Sequence, residues 1–349
     1  MRATVLHGPR DIRLETVPDP EIRRPTDALV RVEAACVCGS DLWPYRGIAA
    51  IDGPTRIGHE LVGTVEEVGA GVRSVKPGDF VIAPFAISDN TCVHCRHGVH
   101  TSCENGAWWG SQDREGLPVD GGQGEWVRVP LADGTLVRTP ERPDADMIPG
   151  LLTLADVMGT GHHAALAAGV GPGSTVAVVG DGAVGLCGVL AAKRLGAERI
   201  VAMSRHAPRQ AIAREFGATD VIAERGKEGV AILKEALGGI GADAVLECVG
   251  TKDSMAQAIA SARPGGRVGY VGVPHGGPEL PVPKLFSRNI GVGGGVAPVR
   301  AYLEELLEDV LERRIDPGRV FDLELPLAEV AEAYAAMDER RTVKPLLRP

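Results

Sequence analysis

A short apolar run, Ser174–Val179, leads straight into Gly180-Asp181-Gly182-Ala183-Val184-Gly185, and a helical pattern continues through Leu195. The run has no polar alternation, as expected of a strand buried on both faces of a parallel sheet. Glycines at this spacing permit a tight turn, close approach of the backbone to a pyrophosphate, and close packing of helix on strand. A helix opening at Ala183 would add free N–H groups and the positive end of its dipole. In a chain with 46 glycines a lone triplet would mean little. Here the strand before it and the helix after it predict a dinucleotide site at Gly180, Gly182, Ala183, Val184 and Gly185. Strand-like runs recur at Arg199–Met203, Ala244–Glu247 and Arg267–Val271 with helical stretches between them. That alternation predicts a doubly wound α/β domain over 155–295.

The second of these strands ends at Met203-Ser204-Arg205-His206-Ala207-Pro208-Arg209. A cofactor lacking a 2′-phosphate usually meets an acid at such a strand end, which accepts from the ribose hydroxyls. Ser204 stands there instead, with Arg205 beside it and Arg209 nearby. Serine can donate to a phosphate and arginine can clamp one with paired hydrogen bonds. The expected cofactor is therefore NADP(H) rather than NAD(H).

Upstream, the texture changes to β-branched alternation, as in Ala28–Ala34 and Leu61–Val68, broken by turns such as Lys76-Pro77-Gly78-Asp79. That pattern predicts a β-rich, barrel-like domain over 1–154. Inside it, over about 86–110, Cys92 and Cys95 are followed by Cys103, and Asp89 stands three residues before Cys92. Short loops with such spacings close around a tetrahedral zinc, for which thiolate and carboxylate are both legitimate donors. A redox Cys-x-x-Cys is the rival, against which the third cysteine counts. His94, His97 and His100 are spare donors expected to face solvent. A second set is Cys38-Gly39-Ser40-Asp41 with Gly58-His59-Glu60, where Cys38 and His59 offer a soft and a borderline ligand. Helical patterns at Tyr302–Arg313 and Leu327–Met337 suggest that 296–349 returns to the first domain.

The chain has 349 residues, net charge −9 and only 4% aromatic residues. Nothing in that balance attracts a phosphate backbone or stacks bases, so a nucleic-acid binder is not expected. No stretch has the length of a membrane span and the N-terminus lacks a signal-peptide pattern. Seven cysteines, an odd count with three at metal spacing, suggest a reducing cytoplasm rather than a disulfide framework.

Together, Cys38-Gly39-Ser40-Asp41, Gly58-His59-Glu60, the cysteine lobe and the glycine turn resemble the zinc-dependent medium-chain alcohol dehydrogenases, in order along essentially the whole chain. The resemblance implies a GroES-like catalytic domain interrupted by a Rossmann domain, with the active site in the cleft. It implies a catalytic zinc on Cys38 and His59, with Glu60 as an exchangeable or neighbouring ligand. The third fixed ligand lies at the domain junction, where Leu154–Gly161 makes Asp156 the candidate over His162 and His163. It also implies a structural zinc on Asp89, Cys92, Cys95 and Cys103, where relatives usually carry four cysteines. Ser40 matches the hydroxyl that bonds the substrate oxygen and starts a proton relay. Many relatives continue that relay with a histidine, but Trp43 stands in the corresponding region and cannot pass a proton. Thr160 matches a residue near the nicotinamide, and Val271-Gly272-Val273 is expected to offer backbone groups to its carboxamide. Trp108 and Trp109 either wall a substrate pocket suited to a hydrophobic ketone or secondary alcohol, or pack on the surface. The expected activity is zinc-dependent interconversion of alcohol and carbonyl with NADP(H), in a homodimer or homotetramer. An NAD-preferring polyol or aldehyde dehydrogenase, or a non-catalytic structural relative, are the alternatives.

Overall fold

The computed structural model describes residues 1–277 and 279–349, and divides into two compact units, Met1–Asp156 with Pro298–Pro349, and Val157–Ala297.

The first unit is built on a seven-stranded sheet. Its central strand, Ala28–Cys36, pairs antiparallel with Leu61–Val68 and with the last strand, Lys344–Arg348. Alternate residues of these strands, among them Val30, Val32, Leu61 and Val65, point into one apolar core together with Val81, Val127 and Val129. Each such side chain contributes about 1.5–3 kcal/mol by leaving water. Register carries the site. Ala35 lies opposite Leu61, and Cys36 lies opposite Leu346. The residues just beyond these pairs are Cys38, His59 with Glu60, and Lys344, so three remote segments meet at one end of the sheet. Ala86–Ile87 pairs with Ala107–Trp108 and closes the loop that holds the clustered cysteines. The helix expected from Tyr302 runs Val299–Leu311. The one expected from Leu327 starts as a 3-10 turn, Leu327–Glu329, before the α-helix Val330–Asp338.

The second unit holds a six-stranded parallel sheet in the order 220–222, 199–203, 175–179, 242–247, 262–270, 291–294. Numbering the strands along the chain gives 3-2-1-4-5-6, the doubly wound dinucleotide-binding order. Its strands interleave Val179, Val201, Met203, Val245 and Val268 with helix residues Ala258 and Ile259 in a continuous core. The strand order reverses between Thr175–Val179 and Ala242–Glu247, where such sheets open a crevice at their carboxyl ends. The glycine turn and the helix Ala183–Arg194 lie there.

Candidate active site and metal centres

Cys38, His59, Glu60 and Asp156 each present a donor atom within 4.8 Å of the others. Oδ2 of Asp156 lies 3.5 Å from Cys38 Sγ and 3.6 Å from His59 Nε2. Behind them, Asp41 Oδ1 is 3.2 Å from His59 Nδ1, and its Oδ2 accepts from the Cys38 backbone N–H at 2.9 Å. One buried carboxylate thus orients two of the donors, and turns the imidazole so that Nε2 faces the cluster. Gln123 Nε2 donates to the Cys36 carbonyl at 2.9 Å, and Tyr334 Oη donates to Gln123 Oε1 at 3.0 Å. Glu60 Oε1 receives Lys344 Nζ at 2.7 Å, and Nζ also donates to the Val37 carbonyl at 3.1 Å.

A metal cation suits this donor set. Oε2 of Glu60 is buried and has no hydrogen-bond partner. Burial and the Asp156 carboxylate push the Cys38 thiol up. Burial also works against charge on His59, yet Asp41, Cys38 and Asp156 hold its pKa well above the ordinary imidazole value. Two carboxylates, a thiol and an imidazole crowded out of water are an unfavourable set by themselves, and a dication reverses that balance. His162 and His163, the competing donors, lie on the helix Val157–Ala167 of the second unit.

The lobe gathers Asp89, Cys92, Cys95 and Cys103 in the same way. Cys92 and Cys103 sulfurs are 3.9 Å apart. Asp89 Oδ1 accepts from the backbone N–H groups of Thr91 and Cys92 at 2.8 and 2.9 Å, and Oδ2 accepts from Asn105 Nδ2 at 2.6 Å. Although burial opposes it, these bonds hold the Asp89 carboxyl far below the usual range, so it is an anion ready to act as ligand. His94 and His97 are exposed. His100 departs from the expectation of a solvent-facing side chain: it is buried, with Nε2 2.8 Å from Asn90 Oδ1, because its 3-10 turn folds inward. The two tryptophans also part company. Trp109 is in the core and donates Nε1–H to the Pro84 carbonyl at 2.9 Å. Trp108 is 45% exposed and stacks on Phe85 with centroids 5.9 Å apart. Phe85 in turn meets His59 edge-on at 6.4 Å. Ser40 and Trp43 are half-buried in the turn after Cys38.

In the second unit, a Cβ on Gly185 would lie 2.0 Å from the Gly180 carbonyl oxygen, so only glycine lets helix and turn close. A Cβ on Gly182 would meet nothing within 4 Å. The protein itself leaves that space empty beside the helix N-terminus, which suits a pyrophosphate. Ala183 and Val184 form the first turn of the helix. Ser204 is buried and donates its hydroxyl to Asp181 Oδ2 at 2.9 Å. Arg209 Nη1 lies 3.3 Å from the Asp181 carbonyl and 3.4 Å from its Oδ1, whereas Arg205 is exposed. Thr160 is buried in its helix. The N–H groups of Val271 and Gly272 both donate to the Glu247 carbonyl, at 2.9 and 3.2 Å, and the Val273 carbonyl lies 3.0 Å from His275 Nδ1.

Asp41, Gln123, Tyr334, Lys344 and Asp181 were not anticipated from the sequence. The spacing Cys38-x-x-Asp41 carried a signal for the first, and Asp181 stood within the glycine motif. The others lie too far along the chain for any local pattern to reveal.

A doubly wound dinucleotide fold joined in one chain to two metal-suited clusters defines the class as a metal-dependent oxidoreductase. The alcohol dehydrogenase GroES-like domain matches residues 24–141, and the zinc-binding dehydrogenase domain matches 183–312. Zinc-type alcohol dehydrogenase B of Aspergillus flavus is 32% identical over 100% of this chain and 81% of its own length. A probable zinc-binding alcohol dehydrogenase of Mycobacterium tuberculosis is 36% identical over 97% of this chain and 86% of that protein. Among solved structures, alcohol dehydrogenase TADH from Thermus sp. ATN1 superposes with a TM-score of 0.91 at 33% identity, covering 100% and 99% of the two chains. The chain belongs to the zinc-dependent medium-chain dehydrogenase family, and is a zinc-dependent alcohol dehydrogenase in its reaction class.

Proposed function

We propose that this enzyme interconverts apolar secondary alcohols and ketones with NADP(H), using a catalytic zinc on Cys38, His59 and Asp156 and a structural zinc on Asp89, Cys92, Cys95 and Cys103. The observation that carries this is the Cys38–His59–Glu60–Asp156 cluster, with its orphaned Glu60 oxygen and the Asp41 carboxylate behind it. When bound, the zinc supplies Lewis acidity toward the substrate oxygen and the nicotinamide supplies or accepts the hydride. The chain's own work is placement. Asp41 fixes the His59 tautomer with Nδ1–H toward its carboxylate. Lys344 holds Glu60 as an anion at the edge of the cluster, where it can approach or withdraw. Ser40 Oγ bonds the substrate oxygen and takes part in moving its proton, while the Trp43 indole cannot carry that proton onward. Phe85 and Trp108 present an aromatic wall next to His59, which supports an apolar substrate and excludes water from its carbon.

The basic residues at the end of the strand Arg199–Met203, Arg205 exposed there and Arg209 nearby, support NADP(H). The edge strand Gly291–Gly294, with Val282 and Phe286 exposed nearby, supports a homo-oligomer assembled on that edge. Cysteines gathered at metal spacing, Cys92, Cys95 and Cys103, support a cytoplasmic site of action. Among the described residues no helix is long and apolar enough to cross a membrane.

The test is oxidation of NADPH by purified zinc-loaded enzyme across a panel of ketones and aldehydes, with NADH in parallel. Turnover of apolar ketones that disappears in Asp156→Ala and falls in Trp108→Ala is the expected result. Preference for polyols with NADH, or turnover undiminished in Asp156→Ala, would overturn the proposal.

A further inference from the structure

We propose that Asp181, inside the glycine turn, is the acid that sets this enzyme's cofactor preference: it offsets the charge of Arg209 and so limits how strongly the 2′-phosphate of NADP(H) is favoured. The inference rests on the nucleotide-binding role assigned above to this turn.

In a doubly wound fold the pyrophosphate lies on the glycine turn and the adenosine ribose reaches the end of the second strand. Asp181 bridges those two places. Its backbone belongs to the turn, and its Oδ2 receives the hydroxyl of Ser204, the last position of the second strand region, at 2.9 Å. The carboxylate is not a loose surface group: its side chain is 9% exposed, and that of Arg209 is 14% exposed. Arg209 Nη1 approaches both the carbonyl and Oδ1 of Asp181. The Ser204 carbonyl is held by Gln210 Nε2 at 2.7 Å, which fixes the strand end around the pair. The acid that a strand-end inspection finds missing is therefore present, supplied from the neighbouring turn.

The charges explain what it does. A carboxylate offers about four acceptor positions, so Asp181 can accept from a ribose hydroxyl while keeping Ser204 and Arg209. A 2′-phosphate in the same corner would meet one anion, one cation already engaged by it, and the exposed Arg205. Like charge at close range in a partly desolvated corner is unfavourable, and a guanidinium shared with a carboxylate has less to offer a phosphate. The corner then tolerates both cofactors, with a balance set by Asp181 against Arg209.

Binding, not turnover, reads this out. The dissociation constants of NADPH and NADH are measured by nicotinamide fluorescence for wild type, Asp181→Asn, Arg209→Gln and the double variant. Circular dichroism reports whether each folds. Asp181→Asn is expected to raise the NADPH-to-NADH affinity ratio about tenfold or more, roughly 1.4 kcal/mol. Arg209→Gln is expected to lower it by a similar factor, and the double variant to recover part of that loss. The 2′-phosphate itself is isolated by competition between adenosine 2′,5′-bisphosphate and adenosine 5′-monophosphate, whose ratio is expected to move in parallel. A ratio that stays within twofold of wild type in Asp181→Asn, or falls, overturns the inference. Where Asp181→Asn does not fold, an unchanged ratio in Arg209→Gln overturns it equally. A wild-type enzyme that binds NADH more tightly refutes the NADP(H) proposal but leaves the expected change in ratio intact, so the two fail separately.

Discussion

Replacing Lys344 with methionine removes the charge from the most deeply buried ion pair beside the metal donors. The Lys344 side chain is 1% exposed and that of Glu60 0%. Burial works against the ammonium charge, but Cys36 and Glu60 hold its pKa well above the ordinary lysine value. Methionine keeps most of the volume, so the loss is electrostatic. Glu60 is left a buried anion whose Oε2 already lacks a hydrogen-bond partner. Breaking a buried pair on one side costs about 3–5 kcal/mol, and the Val37 carbonyl also loses its donor. At about 2–4 °C per kcal/mol for a unit of this size, the transition temperature should fall by roughly 6–20 °C. The assay is calorimetry on metal-depleted protein, so that bound zinc cannot compensate. Burial already raises the Glu60 pKa against the opposing pull of Lys344, and removing Lys344 raises it further. A raised folded-state pKa means that the folded protein binds the extra proton, so stability falls as pH rises through that pKa. The deficit should be largest near neutral pH and shrink toward pH 5. In Glu60→Gln/Lys344→Met the buried anion is gone, and much of the loss should return. A Lys344→Met shift under 2 °C, or a double variant no better than the single, would refute this account.

Asp243→Asn tests the base of the second unit. Its carboxylate accepts from Thr175 N–H and Oγ1, each at 2.7 Å, and from Arg263 Nε at 2.6 Å. Although burial opposes it, these bonds hold its pKa below the ordinary 3.8. The variant should lose about 1–2 kcal/mol at pH 7 in denaturant unfolding, a gap that closes as pH falls below that value because the wild-type carboxylate then takes up its proton. Asp89→Ala should release the lobe's zinc while Asp89→Cys retains it, measured as metal per chain after dialysis; full retention by the alanine variant would remove Asp89 from the ligand set. Gly185→Ala drives a Cβ to within 2.0 Å of the Gly180 carbonyl, and should weaken nucleotide binding at least about a hundredfold with a lowered transition temperature; unaltered binding would mean that the turn yields more easily than its geometry implies.

The two clusters of metal-suited side chains were legible in the sequence because their chemistry is rare and their spacing local: Cys92 and Cys95 share one loop, and His59 and Glu60 are adjacent. The parallel sheet was legible because buried strands such as Thr175–Val179 are apolar beyond their first residue. What supports the donors was not. Lys344 is 284 residues from Glu60 and Tyr334 is 211 from Gln123; the pairing of the last strand with Ala28–Cys36 brings Lys344 in, and Tyr334 comes on the helix Val330–Asp338. The two-residue strands Ala107–Trp108 and Ser111–Gln112 are too short for any period to show, so the separate fates of Trp108 and Trp109 depended on which of them the loop turned inward.

Asp41 and Asp181 share one lesson about acids near functional groups. Neither stands where a motif places its functional residue, yet each organises a neighbour that does. Asp41 orients His59 and the Cys38 backbone, and Asp181 holds Ser204 and Arg209. A motif specifies what touches the ligand, because that chemistry admits few residue types. The partner one bond further out is constrained only by geometry, and many positions in the chain can supply it. Ser204 therefore has the residue type of a phosphate donor but the hydrogen bond of an acid's partner. The preference between two cofactors that differ by one phosphate then depends on the net charge of the Asp181–Arg209–Arg205 corner rather than on the identity of the residue at the strand end.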